Sequence, residues 1–197
     1  MLVFKIFLIK DFRINLVIIS SILYSTIFLL LLSCNNNTQQ VTLAKKTSGK
    51  IIGIIDGDTY DLLTEDNKTI RIRMEGIDAP EKGMPYCNVA KKHLSSLCYG
   101  KKITLDGNKK DRNGRIIAYS YLDDSTELSH EMIKAGFAWH FKKYSSDSSL
   151  ANLELEARNL VLGLWKDKNP IAPWEIRKLH REGISTKDSF KLKNANE

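Results

Sequence analysis

Short runs of alternating apolar and polar residues, separated by turn-forming residues, run through the middle of the chain. Apolar runs over residues 50–55 and 59–64 flank an Asp-Gly-Asp turn at 56–58, which predicts two antiparallel strands joined by a tight connection. Residues 69–77 alternate strictly and predict a third strand. Arg73 falls on its polar face, so periodicity alone favours the interpretation that Arg73 is a solvated strand residue.

The later elements are predicted from helical spacing, from alternation and from glycine stop signals. They are a helix over 88–97, strands over 102–105 and 115–122 around a polar loop at 106–114, and helices over 128–135 and 150–162. Three strands, a helix, two strands and two helices follow one another. This order predicts a mainly β fold with added helices, a five-stranded Greek-key barrel of the OB type with three helices. Strands and helices do not alternate strictly, which argues against an α/β sheet.

The N-terminal segment differs from the rest of the chain. Three basic residues precede an apolar stretch over 14–32, which leads into Ser33 and Cys34. Residues 1–33 therefore predict an export signal of the lipoprotein type, with Cys34 as the lipid-carrying mature N-terminus. An uncleaved membrane helix is the alternative, because about 20 apolar residues can span a bilayer. Both interpretations predict an exported protein of the cell envelope, anchored in the membrane by lipid or helix; a secreted protein is the further possibility.

Composition divides the remaining chain into three parts. Residues 34–49 are polar and predict a flexible tether. Residues 50–180 hold the alternating and helical patterns of the folded domain, and residues 181–197 predict a disordered tail. Nothing in the sequence requires more than a monomer.

The charge balance is basic. The formal net charge is +7, and because residues 1–33 hold three basic residues and one acidic residue, the rest of the chain carries +5. A positive surface favours a polyanion such as nucleic acid, and equally an anionic membrane surface.

The cysteines and histidines give little support to a disulfide or a zinc site. Cys87 and Cys98 flank the predicted helix, and eleven residues of helix would separate them by about 16 Å, whereas a disulfide needs Cα atoms within about 7 Å. We therefore expect two free thiols, at least one of them buried. The four histidines are scattered and no Cys-x-x-Cys pair exists.

Three separated runs carry the candidate chemistry. Asp58 lies in the first turn, Arg73 is followed by Asp78 and Glu81, and Arg115 follows Asn-Gly at 113–114. Carboxylates are the oxygen ligands that a hard divalent cation prefers, and arginines stabilise a phosphate that gains negative charge in its transition state. Each run alone is more often a structural turn.

Several motifs together resemble one known family. They are Asp-Gly-Asp-Thr at 56–59, Arg73 five residues before Asp78, Asp-Ala-Pro-Glu at 78–81, Asn-Gly-Arg at 113–115 and Gly-Leu-Trp at 163–165. In this order and spacing, residues 50–165 resemble the staphylococcal nuclease family, also called thermonucleases. The resemblance implies an OB barrel, a bound calcium ion and endonucleolytic cleavage of DNA and RNA that leaves 3′-phosphates.

The resemblance also implies roles for single residues. Asp58 and Asp78 would ligate calcium together with the backbone carbonyl of Ala79, where the family often has threonine. Glu81 would act as general base or position the attacking water. Arg73 and Arg115 would hold the scissile phosphate.

Further residues take supporting roles under the same resemblance. Asp56 would brace the turn from behind the ligands and Thr59 would help to hold it. Tyr144 falls where the family has a nucleotide-contacting tyrosine, but the neighbouring family position holds Lys142.

Two other functional classes remain open at this point. One is a catalytically inactive OB module that binds nucleic acid. The absence of any one of the five central charged residues would have favoured it, but all five are present. The other is a surface lipoprotein with a structural or adhesive role, which only the N-terminal segment supports.

Overall fold

A closed five-stranded β-barrel forms the centre of the computed structural model, which describes residues 46–195. The strands of the described part are β1 (Ser48–Ile54), β2 (Thr59–Thr64), β3 (Thr69–Met74), β4 (Ile77–Asp78), β5 (Lys102–Lys110), β6 (Ile116–Leu122) and β7 (Trp139–His140). The barrel order is β1-β2-β3-β6-β5, with β5 pairing back to β1. Among the strand pairs of residues 46–195, only β3 and β6 run parallel. The predicted five-stranded OB-type barrel is confirmed.

Helices surround the barrel and continue beyond it. They are α1 (Cys87–Cys98), α2 (Leu128–Lys134), α3 (Ser148–Asn159), α4 (Pro173–Arg181) and α5 (Thr186–Ala195), with a 3₁₀ turn at Gly163–Lys166. The first three helices correspond to the three predicted ones. The described part of the chain therefore has two helices more than predicted, both near the C-terminus.

The core fills the barrel and extends under α1, α2 and the start of α3. Alternate residues of β3 point inward, as the period of two predicts, and Ile72 and Met74 are fully buried. Helix α1 contributes Ala90, Leu94 and Cys98 from one face. Burial of this apolar surface is the main force that holds the site-bearing strands in place.

Strand β5 is longer than predicted. The polar stretch from residue 106 to 110, predicted as loop, pairs with β6 through Lys109 opposite Ile117 and Lys110 opposite Ile116, after an irregularity beyond Asp106. These polar residues are exposed on an extended hairpin, so no alternating apolar pattern marks them as a strand.

The C-terminal segment differs from the predicted disordered tail at 181–197, because the structure places α5 there. Phe190 of α5 packs against Met84, Ile171 and Ile176. Ser189 is buried as well, and the helix docks through few apolar side chains, which compositional signals do not reveal.

Several predictions concern residues at or before the start of the barrel. The export signal at 1–33 and the lipidated Cys34 lie outside the described residues and stay predictions. The predicted tether at 34–49 overlaps the fold at its end, since β1 begins at Ser48 and Lys46 pairs with Asp106 at 3.4 Å. Among residues 46–195, no helix has the length and apolar character needed to cross a bilayer.

The two described cysteines are free thiols, as predicted from the helix between them. Cys98 is fully buried, and this burial raises the pKa of its thiol to about 12. Such a thiol is chemically inert at neutral pH.

Two glycines bring the connections after α2 and α3 into close contact. Gly163 has φ +52°, and a Cβ added to it would lie 2.1 Å from the carbonyl oxygen of Gly136. The amide of Leu164 donates a hydrogen bond to that same oxygen at 2.8 Å. The contact requires glycine both for conformation and for space.

We expect Gly163→Ala to destabilise the fold by about 2–5 kcal/mol, because strain at positive φ adds to a backbone clash. Gly100→Ala is the matched control, since Gly100 has φ +76° and open space around its Cβ position. It should lose only about 1–2 kcal/mol, from φ strain alone. Urea unfolding measures the loss of unfolding free energy in both variants. Equal losses would contradict the close contact between Gly163 and Gly136.

Candidate active site

Arg73 lies at the centre of a buried charge cluster. It sits in β3 between Thr59 of β2 and Ile117 of β6. Its Nη2 lies 3.1 Å from Asp58 Oδ2 and 2.8 Å from Asp78 Oδ1, and its side chain is only 13% exposed. The interpretation of Arg73 as a solvated strand residue is therefore wrong, because a polar face at a strand end can be covered by neighbouring loops.

Backbone contacts fix the same guanidinium. Arg73 Nη1 donates to the carbonyl oxygens of Met74, at 3.0 Å, and Ile77, at 2.9 Å. Asp78 follows Ile77 in β4, where it pairs with Trp139 of β7. This small ribbon holds the Asp78 carboxylate over the end of the barrel, where it is almost completely buried.

The first turn is bonded directly to the Asp-Ala-Pro-Glu segment. Asp58 Oδ2 accepts a hydrogen bond from the backbone amide of Ala79 at 2.6 Å, and Asp58 Oδ1 accepts one from Thr59 Oγ1 at 2.9 Å. Asp56 Oδ1 in turn accepts from the Asp58 amide at 3.0 Å. These bonds place two segments twenty residues apart side by side and orient the Asp58 carboxylate.

Burial raises the pKa of two acidic groups here. It raises the pKa of Asp56 to about 7, and repulsion from Asp58 adds to the rise. It also raises the pKa of Asp78, while the hydrogen bond from Arg177 and the charge of Arg73 act in the opposite direction. Carboxylates so placed require nearby positive charge to stay ionised.

Arg115 reaches the site from the β5–β6 hairpin. Asp111 Oδ1 accepts from the amides of Asn113, at 2.8 Å, and Arg115, at 3.0 Å, which shapes the turn. Arg115 Nε donates to Asp111 Oδ2 at 2.8 Å. The guanidinium is therefore held in place but remains 28% exposed.

One cleft brings these groups together, and most of its charged residues are basic. Its acidic residues are Asp56, Asp58, Glu75, Asp78, Glu81, Asp111 and Glu154. Its basic residues are Arg73, Lys109, Lys110, Arg112, Arg115, Lys142, Lys143, Arg158, Arg177, Lys178 and Arg181. A cleft whose lining has more basic than acidic residues suits a phosphate chain.

Comparisons with known proteins agree with this geometry. The family model described as "Staphylococcal nuclease homologue" matches residues 71–167. An "Uncharacterized endonuclease" of Escherichia coli is 37% identical over 134 residues, which cover 68% of this chain and 86% of that protein. A "Micrococcal nuclease" of Shigella flexneri is 33% identical over 147 residues, covering 70% of this chain and 84% of the relative. The chain belongs to the staphylococcal nuclease family.

As a member of the staphylococcal nuclease family, the chain is a nuclease, and the predicted site residues can be placed on its fold. Nearly all of them line the one cleft: Asp56, Asp58, Arg73, Asp78, Ala79, Glu81, Arg115 and Tyr144. Thr59 is buried behind Asp58, in contact with its carboxylate. The sequence motifs therefore converge in space.

The donor chemistry around Asp58 and Asp78 fits the calcium ion that the nuclease family implies. Asp58 Oδ2 and Asp78 Oδ1 both lie within 3.1 Å of Nη2 of Arg73, so the two carboxylates are near enough to each other to bind one ion. Ala79 follows Asp78 and is bonded to Asp58, which adds a backbone carbonyl nearby. Within residues 46–195 no cluster of three or more Asp, Glu, His or Cys side chains has a metal-site arrangement. Water and substrate oxygens would have to complete the six to eight ligands that calcium takes.

Aromatic side chains line the rim of the nuclease cleft. Tyr144 is 70% exposed, and its ring packs edge-on against Phe141, 4.8 Å between centroids. Phe141 stacks in turn on Trp174 of α4, at 5.3 Å and 3°. Lys142 Nζ lies 3.3 Å from Oε2 of the buried Glu154.

Arg177 belongs to the site, although no sequence motif indicates it. This residue of α4 lies 2.6 Å from Asp78 Oδ2 through Nη2 and donates to Glu81 through Nη1. Pro173 at the start of the helix and the buried Ile176 indicate an amphipathic helix at this place in the sequence. They do not indicate which residues Arg177 contacts. Nothing in a single sequence indicates a contact across 99 residues.

Proposed function

We propose that this nuclease is a calcium-dependent endonuclease that hydrolyses phosphodiester bonds of DNA and RNA and leaves 3′-phosphates. The observation that carries the proposal is the convergence of Arg73 with Asp58 and Asp78, beside Glu81 and Arg115, in one basic cleft. Calcium is supported by an all-oxygen donor set, and nucleic acid is supported by the excess of basic residues along the cleft.

Calcium bound by Asp58, Asp78 and the Ala79 carbonyl would supply positive charge next to the phosphate. Arg73 and Arg115 would each donate hydrogen bonds to non-bridging phosphate oxygens and stabilise the charge that grows there. Their planar guanidinium groups stay charged at every working pH. Glu81 suits the proton step, because its side chain is 41% exposed and can meet a water at the cleft opening.

In this mechanism a water oxygen attacks phosphorus while Glu81 accepts its proton. The bond from phosphorus to the 5′ oxygen breaks, the 5′ oxygen takes up a proton from solvent, and the phosphate remains on the 3′ side. An ionised Glu81 is required before attack.

Digestion of single-stranded DNA, duplex DNA and RNA by the purified full chain tests the proposal. We expect cleavage of all three in calcium, none in a calcium chelator, and product 3′ ends that accept a label only after phosphatase treatment. Binding without cleavage in calcium would instead support an inactive nucleic-acid-binding module. Labelling of untreated 3′ ends would contradict the assigned leaving group.

A further inference from the structure

A third arginine holds two of the carboxylates that the proposed reaction needs. Arg177 Nη2 lies 2.6 Å from Asp78 Oδ2, its Nη1 lies 3.4 Å from Asp78 Oδ1, and Nη1 also donates to Glu81. The contact is shielded, since Asp78 is 2% exposed and the Arg177 side chain 32%. An arginine in this place brings a fixed positive charge against both carboxylates.

Packing contacts on either side of Arg177 fix the helix that carries it. Ile176 is fully buried against Met84 and Ile171. Trp174 stacks on Phe141, and the Arg177 guanidinium lies 5.8 Å from the centre of the same Phe141 ring. The backbone of Arg177 is thus fixed beside the site, and its long side chain is the part free to change partner.

Arg177 and a metal ion compete for the same carboxylate. Asp78 Oδ1 is engaged by Arg73 and Asp78 Oδ2 by Arg177, so both oxygens already contact guanidinium groups. A divalent ion that binds Asp78 would have to replace a guanidinium group at one of these oxygens. The positive charge of that guanidinium would also repel the ion. Arg73 also donates hydrogen bonds to two backbone carbonyls, which hold it in place without the carboxylates. Arg177 donates its hydrogen bonds to the carboxylates of Asp78 and Glu81. Arg177 is therefore the cation that gives way.

A guanidinium displaced from Asp78 still stands in the cleft on an anchored helix. Two parallel N–H donors match two oxygens of a phosphate as well as two of a carboxylate. The rim beyond it continues basic along the same helix, with Lys178 and Arg181. A phosphodiester lying across the site is the anion that this arrangement fits.

We propose that Arg177 is a third phosphate-binding arginine, held by Asp78 and Glu81 until calcium takes Asp78 and then transferred to the nucleic-acid backbone. This inference rests on the proposed function. It makes calcium and nucleic acid bind cooperatively through one side chain, and by linkage each ligand strengthens the other by the same factor. It also releases Glu81 from its ion pair when both ligands are present, so that the carboxylate can serve water.

Two binding measurements on the full chain test this role apart from activity. Calcium is titrated calorimetrically without nucleic acid, and a cleavage-resistant phosphorothioate oligodeoxynucleotide is titrated with saturating calcium and with chelator. The variants are Arg177→Gln and Arg177→Lys. Arg181→Gln is the matched control, because it removes one positive charge from the same helix and cleft, and Arg181 has no acidic partner among the ion pairs of residues 46–195.

We expect Arg177→Gln to bind calcium about tenfold more tightly and to bind the oligonucleotide about tenfold more weakly in calcium, within the usual range of coupling between sites. Calcium should then strengthen oligonucleotide binding less than in wild type. Arg177→Lys should shift both affinities in the same directions by less, and it tests the idea if the glutamine variant fails to fold. Arg181→Gln should alter calcium affinity by less than about twofold, as a distant solvated charge does.

Two results would overturn the role of Arg177. Weaker calcium binding in Arg177→Gln would mean that the arginine braces the carboxylates. Unchanged calcium affinity and unchanged coupling would mean that it only fastens helix α4. A wild-type chain that binds no calcium and cleaves no DNA would instead overturn the proposed function, and with it this inference.

Discussion

Glu81→Gln is expected to lower kcat by about 10²–10⁴-fold, the usual contribution of a general base, while KM changes little. Glutamine keeps the size of the side chain but cannot accept the proton of the attacking water. The contact with Arg177 weakens without leaving its charge unpaired, because Arg177 keeps its ion pair with Asp78 at 2.6 Å. Folding should therefore be preserved, and initial rates on a single-stranded DNA reporter in calcium measure the effect.

Glu75→Gln is the matched control for this prediction. Glu75 lines the same cleft and carries the same charge, but it has no role in the proposed reaction. Its variant should keep kcat within about threefold of wild type, as solvated surface changes usually do. A Glu81→Gln enzyme as fast as wild type would remove the general-base role, and equal losses in both variants would reduce it to a charge effect.

Arg73→Met is expected to lower both stability and activity. It removes the charge that two nearly buried carboxylates share, at 2.8 Å from Asp78 and 3.1 Å from Asp58, which should destabilise the apo fold by about 3 kcal/mol. The loss of a donor to the phosphate should lower kcat/KM by about 10²–10³-fold. Chemical denaturation in chelator measures the first effect, and initial rates measure the second.

Arg71→Met provides the control, since Arg71 lies on the same strand and also pairs with a carboxylate. Arg71 donates to Asp61 at 2.8 and 3.0 Å, but its side chain is 51% exposed. The variant should therefore lose less than about 1 kcal/mol of unfolding free energy. Calcium should stabilise Arg73→Met more than wild type, because an ion bound to Asp58 and Asp78 supplies positive charge that the variant lacks. Equal stability losses in the two variants, with no added effect of calcium, would contradict the shared-charge arrangement.

The barrel could be predicted from the sequence because its physical signals are local. Alternation in β3 places Ile72 and Met74 inward, and glycines and turn residues mark the ends of strands. The polar end of β5 and the docked helix α5 could not be predicted in this way. The first is a two-sided exposed hairpin without periodicity, and the second is a polar helix that docks through few side chains, Phe190 and Ser189 among them.

The central site residues could be named from motif spacing, but their energetic setting could not. Periodicity places Arg73 on the polar side of a strand, which is correct. Its low exposure arises from β4 and the Asp-Gly-Asp turn closing over it, and those contacts bring together distant segments. The contact of Arg177 with Asp78 could not be predicted for the same reason. A basic residue on an amphipathic helix is typical of a solvated face.

Cleavage of a fluorogenic single-stranded DNA by wild type, Glu81→Gln and Arg115→Ala, purified identically and assayed in calcium and in chelator, tests most directly that this cleft is a calcium-dependent nuclease site. The nuclease assignment predicts cleavage by wild type in calcium, loss of at least about 100-fold in each variant and no cleavage in chelator. Equal rates for all three proteins, or a wild-type rate unchanged by chelation, would contradict it.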